Sequence, residues 1–294
     1  MAEYASEALV EPEWLERHLC DDSIRIVEVD ENPALYRLAC YREAHIPGAI
    51  GFDWKLELQD QVRRDFLGPE EFGTLFGSRG ISNEHQIILY GDRNNWFAAY
   101  TYWYLKYYGH DNVNLPNGPR ERWISEGRPV TDVTPTLEPA MFTAGAGDDG
   151  IRARREDVLR ALGDVHVLVD VRSPQEYSGD LVVLPGYEHE GAQRSGHIPG
   201  AKSIPWSQAV REDGGFRSAD ELGELYAAKG VLGGEPIITY CRIGERSAHT
   251  WFVLHELLGE ADVKNYDGSW AEWGNLIGVP IEKGRDHSAG TDAQ

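Results

Sequence analysis

The sequence offers little material for a disulfide framework, for a membrane-crossing helix or for a positively charged surface. Its 294 residues hold three cysteines, an odd number far below the density of a disulfide-stapled secreted scaffold. No apolar run approaches the ~20 residues that a membrane-crossing helix needs. The first residues, Met1-Ala2-Glu3-Tyr4-Ala5-Ser6-Glu7, lack the basic and apolar regions of a signal peptide, so a reducing cytoplasm is the expected home. Lysine and arginine total 28 against 49 aspartate and glutamate, for a formal charge of −21. That balance argues against nucleic-acid and acidic-membrane partners, both of them polyanions. Cys20 and Cys40 have no metal-ligand spacing and read as structural, while His189 and Glu190 sit in a polar stretch and read as solvated. No metal and no other cofactor is expected.

What is present is an internal repeat. A shift of 150 residues brings Tyr90 onto Tyr240, Ala98 onto Ala248, Gly109 onto Gly259, Val113 onto Val263, Gly118 onto Gly268 and Trp123 onto Trp273. His45-Ile46-Pro47-Gly48-Ala49 meets its partner 197–201 at a shift of 152, which needs only a small insertion. In both, proline fixes φ, glycine permits positive φ and the histidine ring can tie the turn, so His45 and His197 read as structural. The expected organisation is a domain over 10–130, a linker over 131–150 rich in Thr, Pro, Gly and Asp, a second domain over 151–283 and a disordered tail over 284–294. Strands are predicted over 165–171, 201–205 and 236–240, and helices over 154–162, 218–229 (capped by Ser218) and 248–259. Such alternation predicts an α/β fold, in each half a mainly parallel sheet covered by helices on both faces. The stretch 178–196 is an insertion relative to the first half, long enough to overhang a site at the strand ends.

The most informative residues are Tyr240-Cys241-Arg242-Ile243-Gly244-Glu245-Arg246-Ser247. A cysteine stands where a predicted strand ends, on a tight loop that opens a helix. Loop amides, the positive end of the helix and two arginines all favour thiolate over thiol, lowering a value that is ~8.5 for a free cysteine. The thiolate is the nucleophilic form, and one already ionised needs no general base, so His249 is not expected to act as one. Glu245 would repel both thiolate and an anionic substrate and is expected to turn outward. Four residues, 242–245, separate Cys241 from Arg246. A cysteine-phosphatase loop needs one more, so this tighter ring suits a single sulfur atom better than a tetrahedral oxyanion.

The loop, the two His-Ile-Pro-Gly-Ala segments and Val263-Lys264-Asn265-Tyr266-Asp267-Gly268-Ser269-Trp270-Ala271-Glu272-Trp273 together resemble the rhodanese family, specifically its tandem-domain thiosulfate sulfurtransferases. The likeness extends over roughly residues 10 to 283. It implies two rhodanese-like domains and double displacement through a Cys241 persulfide, with thiosulfate as donor and cyanide or a thiol or dithiol as acceptor. Arg246 and Arg242 would hold the sulfonate, with Ile243, Gly244, Glu245 and Ser247 completing the substrate loop. Loss of Arg246 is expected to weaken donor use and spare the fold. Asp170 and Arg172 would brace the loop. The first half, with Gly91 in place of Cys241, resembles the family's inactive domain, and Asn94, Asn95 and Trp96 are candidates for lining the pocket. Its Leu115-Pro116-Asn117-Gly118-Pro119 departs from the family's usual aspartate and two glycines there. The alternatives are 3-mercaptopyruvate sulfurtransferase, whose loop resembles Cys-Gly-Ser-Gly-Val-Thr without these arginines, and a non-catalytic persulfide-carrying or redox-sensing module.

Overall fold

The computed structural model describes residues 3–30, 39–183 and 187–284, apart from the side chains of Ala39, Cys40 and His189. The expectations for Cys40, His189 and the tail beyond Gly284 therefore lie outside the described residues. The chain forms two compact units, one of 7–148 with 212–216, the other of 1–6, 149–211 and 217–294.

In the first unit lie β1 (Leu9–Val10), β2 (Ile24–Asp30), β3 (Ile50–Asp53), β4 (Gln86–Tyr90) and β5 (Val113–Pro116), in the order β1-β5-β4-β2-β3. The second holds β6 (Arg152–Ala153), β7 (Val167–Asp170), β8 (Lys202–Ser203), β9 (Ile237–Tyr240) and β10 (Val263–Tyr266), in the order β6-β10-β9-β7-β8. Every pairing in both sheets is parallel. Parallel strands need crossover connections, here largely helical, and those helices surround each sheet. The central strands are β-branched and apolar on both faces, as Ile237-Ile238-Thr239-Tyr240 illustrates, since both faces are covered.

The repeat extends to single hydrogen bonds. Tyr90 Oη accepts from Ile46 N at 3.0 Å, and Tyr240 Oη from Ile198 N at 3.1 Å. The Tyr41 ring stacks on His45 at 4.0 Å, and Tyr177 on His197 at 3.6 Å. In each pair the histidine Nδ1 bonds the tyrosine carbonyl, as the turn reading expected. Arg120 N donates to Gly91 O at 2.9 Å where Trp270 N donates to Cys241 O at 3.0 Å.

Each unit threads a buried helix after its central strand. Trp96–Tyr107 is apolar around nearly its whole circumference, and its aromatic rings pack on Trp54, Phe66 and Phe72. Glu245–Phe252 is buried at every residue although five of its eight are polar, so those side chains need partners inside the protein. This helix begins three residues before the predicted 248 and passes into a single π turn, Val253–Leu257.

Candidate active site

In the second sheet the connection leaving β7 runs outward to β8, and the one leaving β9 runs the other way to β10. Between them the carboxyl ends of β7 and β9 form a topological switch point, where open parallel sheets place their ligands. Cys241 follows β9 at that point and is fully buried.

The loop from Cys241 to the helix is tied down backbone first. Cys241 N donates to Ser269 Oγ at 3.0 Å, and that hydroxyl donates to Tyr266 O at 2.6 Å. Trp270 N and Ala271 N donate to the carbonyls of Cys241 and Arg242 at 3.0 and 2.9 Å. Gly244, at φ 102°, turns the chain into the helix, and its carbonyl accepts from Ser247 Oγ and Asn265 Nδ2, both at 3.1 Å. A Cβ at Gly244 would stand 2.8 Å from Asp267 Cα. The turn therefore requires glycine twice over, by its positive φ and by its close neighbour.

Gly244 N donates to Cys241 Sγ at 3.1 Å, so a loop amide does point at the sulfur. Sγ also lies 3.2 Å from Glu245 Oε2 and donates to it. The outward turn expected of Glu245 is not what the loop adopts. Because the helix starts at Glu245, this residue occupies the first turn beneath the sulfur and is fully buried. The expected resting thiolate is corrected with it. Burial pushes the Cys241 thiol up and Glu245 adds to the rise, while Arg246 and hydrogen bonds from Ser247 pull it down without offsetting them.

Both arginines are buried and carry carboxylate partners. Arg246 makes a two-pronged contact with Glu176, Nη1 to Oε2 and Nη2 to Oε1 both at 3.0 Å, and its Nε lies 3.6 Å from Glu245 Oε1. Arg242 Nε lies 2.7 Å from Glu190 Oε2 and its Nη2 3.3 Å from Glu245 Oε1, with the guanidinium over the Tyr187 ring at 4.1 Å. Tyr187 and Glu190 belong to the insertion, which reaches the site; Glu190 is not solvated as its polar surroundings suggested, because the Arg242 guanidinium draws its carboxylate in. Ile243 and Ser247 are buried in the same loop.

Asp170 and Arg172 form a buried ion pair, with Nη2 to Oδ2 at 2.6 Å, and Arg172 lies over the Trp270 ring at 4.4 Å. The pair thus meets the ring of Trp270, the residue whose amide donates to the Cys241 carbonyl. His249 is buried, its pKa pushed down to about 3 by desolvation, and its ring meets Trp206 edge-on at 5.6 Å; it is not among the partners of Cys241. In the first unit, Asn95 accepts from Gly91 N at 2.9 Å and donates to Gly118 O at 3.0 Å, so its amide ties its own loop to the segment after β5. Trp96 is buried beside it, and Arg93, Asn94 and Asn95 hold three successive positive φ values, 49°, 56° and 62°. Among the described residues, no group of three or more His, Cys, Asp or Glu is placed to hold a metal ion. No described helix is long and apolar enough to cross a membrane.

Three participants were not singled out from the sequence. Glu176 sits in Ser173-Pro174-Gln175-Glu176, a capping-box signature whose Ser173–Glu176 hydrogen bonds are present. Nothing local announces its second role, 70 residues away at Arg246. Ser269 and Asn265 lie in the second signature segment, where their hydroxyl and amide are committed to the loop backbone.

The rhodanese-like domain family matches this chain over 11–126 and again over 155–276. A protein of Haloferax volcanii named "Putative thiosulfate sulfurtransferase" is 52% identical over 96% of this chain and 99% of its own length. The sulfur carrier protein TtuD of Thermus thermophilus is 51% identical over 95% of this chain and 98% of its own. Among solved structures, the anaerobic ergothioneine biosynthesis enzyme of Chlorobium limicola superposes with a TM-score of 0.81 at 24% identity, covering 95% of this chain and 71% of that one, a likeness of fold. Two matched domains, each a parallel five-stranded sheet, and full-length relatives at half identity place this chain in the rhodanese-like sulfurtransferase family.

Proposed function

We propose that this protein moves the outer sulfur of thiosulfate to a thiol acceptor, or to cyanide in an assay, by double displacement on Cys241. The observation that carries the reading is the cysteine at the switch point, with a loop amide aimed at its sulfur and two arginines in the same short loop. Attack by Sγ on the sulfane sulfur releases sulfite. Arg242 and Arg246 hold the sulfonate oxygens by taking them in exchange for carboxylate contacts, charge-assisted bonds of the strong kind in a site shielded from water. The persulfide then rests against Gly244 N until a second nucleophile removes its terminal sulfur. Arginines on both sides of the loop favour the doubly charged donor over 3-mercaptopyruvate.

A second reading has the persulfide as cargo handed to a partner protein, and the name of the Thermus relative, a sulfur carrier, favours it. Both readings require sulfur on Cys241. Intact mass should rise by one sulfur atom after thiosulfate and fall back after cyanide, with no gain in Cys241→Ser. Sulfur appearing on Cys20 or Cys40 would overturn the assignment.

A further inference from the structure

We propose that Glu245 is the proton carrier of this site: it takes the proton of the Cys241 thiol and hands it to the departing sulfite. The inference rests on the sulfurtransferase reading above. It begins from geometry. Sγ accepts from Gly244 N at 3.1 Å, with Ser247 donating to it as well, and its own proton faces Glu245 Oε2 at 3.2 Å, the distance expected of a base and the proton it removes.

The charges packed around Glu245 say why the proton stays local. Arg246 faces Glu176 from the helix Pro174–Ser178, Arg242 faces Glu190 from the turn Glu188–Glu190, and Arg152 at β6 faces Asp267 just after β10, at 3.0 Å. In net charge these three pairs cancel, as does Asp170 with Arg172, even though Arg242 Nη2 and Arg246 Nε also reach Glu245 Oε1, at 3.3 and 3.6 Å. Cys241 and Glu245 are left to share one negative charge and one proton. Ionising both would bury a second uncompensated anion, which is costly in a site this dry. Thiolate therefore forms at the least cost when its proton moves to Glu245. His249, held neutral by burial and directed at Trp206, is no rival.

The step balances. The S–H bond of Cys241 breaks and its proton goes to Glu245 Oε2. Sγ bonds the outer sulfur of thiosulfate as the bond from that sulfur to the sulfonate sulfur breaks. The electron pair leaves with sulfite, which takes the proton from Glu245 and departs as hydrogensulfite. Cys241 is left as a persulfide anion and Glu245 as a carboxylate again. The carrier also meets the problem of a dianion entering an acidic site, because Glu245 is neutral at the moment the donor reacts, leaving Arg242 and Arg246 to the sulfonate.

The test uses the whole protein, as parent, Glu245→Gln and Glu245→Asp. Single-turnover sulfite release with thiosulfate and alkylation of Cys241 by neutral iodoacetamide, which needs no sulfur donor, are each followed from about pH 5 to about pH 9. Glu245→Gln should lose at least about tenfold in both at pH 7, with the deficit shrinking at high pH, where water and hydroxide take the proton, and Glu245→Asp should recover part of it. A Glu245→Gln variant that equals the parent, or reacts faster at pH 7, would show that Glu245 only repels the thiolate and overturn the proposal. A deficit equal at every pH, without recovery by aspartate, would do the same by assigning a structural role. If Glu245→Gln does not fold, sulfite release by the parent in D2O decides, slower release being expected and an unchanged rate overturning it. If the parent releases no sulfite while alkylation still depends on Glu245, the donor assignment fails and the proton role stands.

Discussion

Glu176 and Arg246 are a buried ion pair whose two members do different work. Burial alone would raise the Glu176 carboxyl, but the Arg246 guanidinium outweighs it and holds the pKa at about 2, with Arg172 and the Ser173 amide assisting. The folded value lies below the unfolded one. The pair's stabilisation is therefore complete above about pH 4.5 and lost as pH falls toward 2, a difference on the order of 3 kcal/mol. Glu176→Gln should cost about 3–5 kcal/mol at neutral pH, because it leaves the guanidinium buried without a counter-charge. In urea denaturation the gap between parent and variant should narrow from about pH 5 to about pH 3; a constant gap would exclude the ionised pair as its source. The same reasoning corrects the expectation that Arg246 could be removed at no cost to the fold. Cys241 and its arginines were legible because their residue types and spacing are local. Glu176 was not, since its partner is fixed by the packing of a distant helix.

At the scale of elements, the loop works because Gly244 bends it directly into the helix Glu245–Phe252. Gly244→Ala would meet both a left-handed backbone and Asp267 Cα at 2.8 Å. It should destabilise the protein by about 1–3 kcal/mol in urea denaturation, and a neutral result would mean the turn can relax away from β10. The neighbouring strand and helices were readable from periodicity, and Ser218 caps the helix Ala219–Ala227 in a full capping box with Glu221. The start of the active-site helix was misplaced by three residues. Glu245, Arg246 and Ser247 look too polar for a buried first turn, and only the ion pairs of the first two and the hydrogen bond of Ser247 to Gly244 O make that turn tolerable. That displacement also hid the direction of Glu245.

Across the whole molecule the formal charge of −21 is a standing self-repulsion. Salt at about 1 M shortens the screening length to roughly 3 Å and should relieve it, while scarcely touching the buried pairs of the site. The melting temperature should therefore rise by several degrees between about 0.05 M and about 1 M potassium chloride. A flat or falling trend would show that the acids are already balanced by local partners. The division into two halves was visible in the repeat. The placement of 212–216 with the first unit was not, because that segment lies outside any repeated pattern and finds its place through contacts such as Phe216 N to Asn117 Oδ1 at 2.9 Å.

Gly91 gives the two halves unequal futures. A Cβ there would lie 2.4 Å from Val29 O, in the backbone of the adjacent strand β2. A cysteine could not be restored at that place by one codon change, because β2 or the loop would have to move first. The packing of β2 against the loop thus keeps a thiol out of that position in the first domain. Of the two halves of the repeat, only the second has room for a side chain at this place, and in the first the obstacle is made of main-chain atoms.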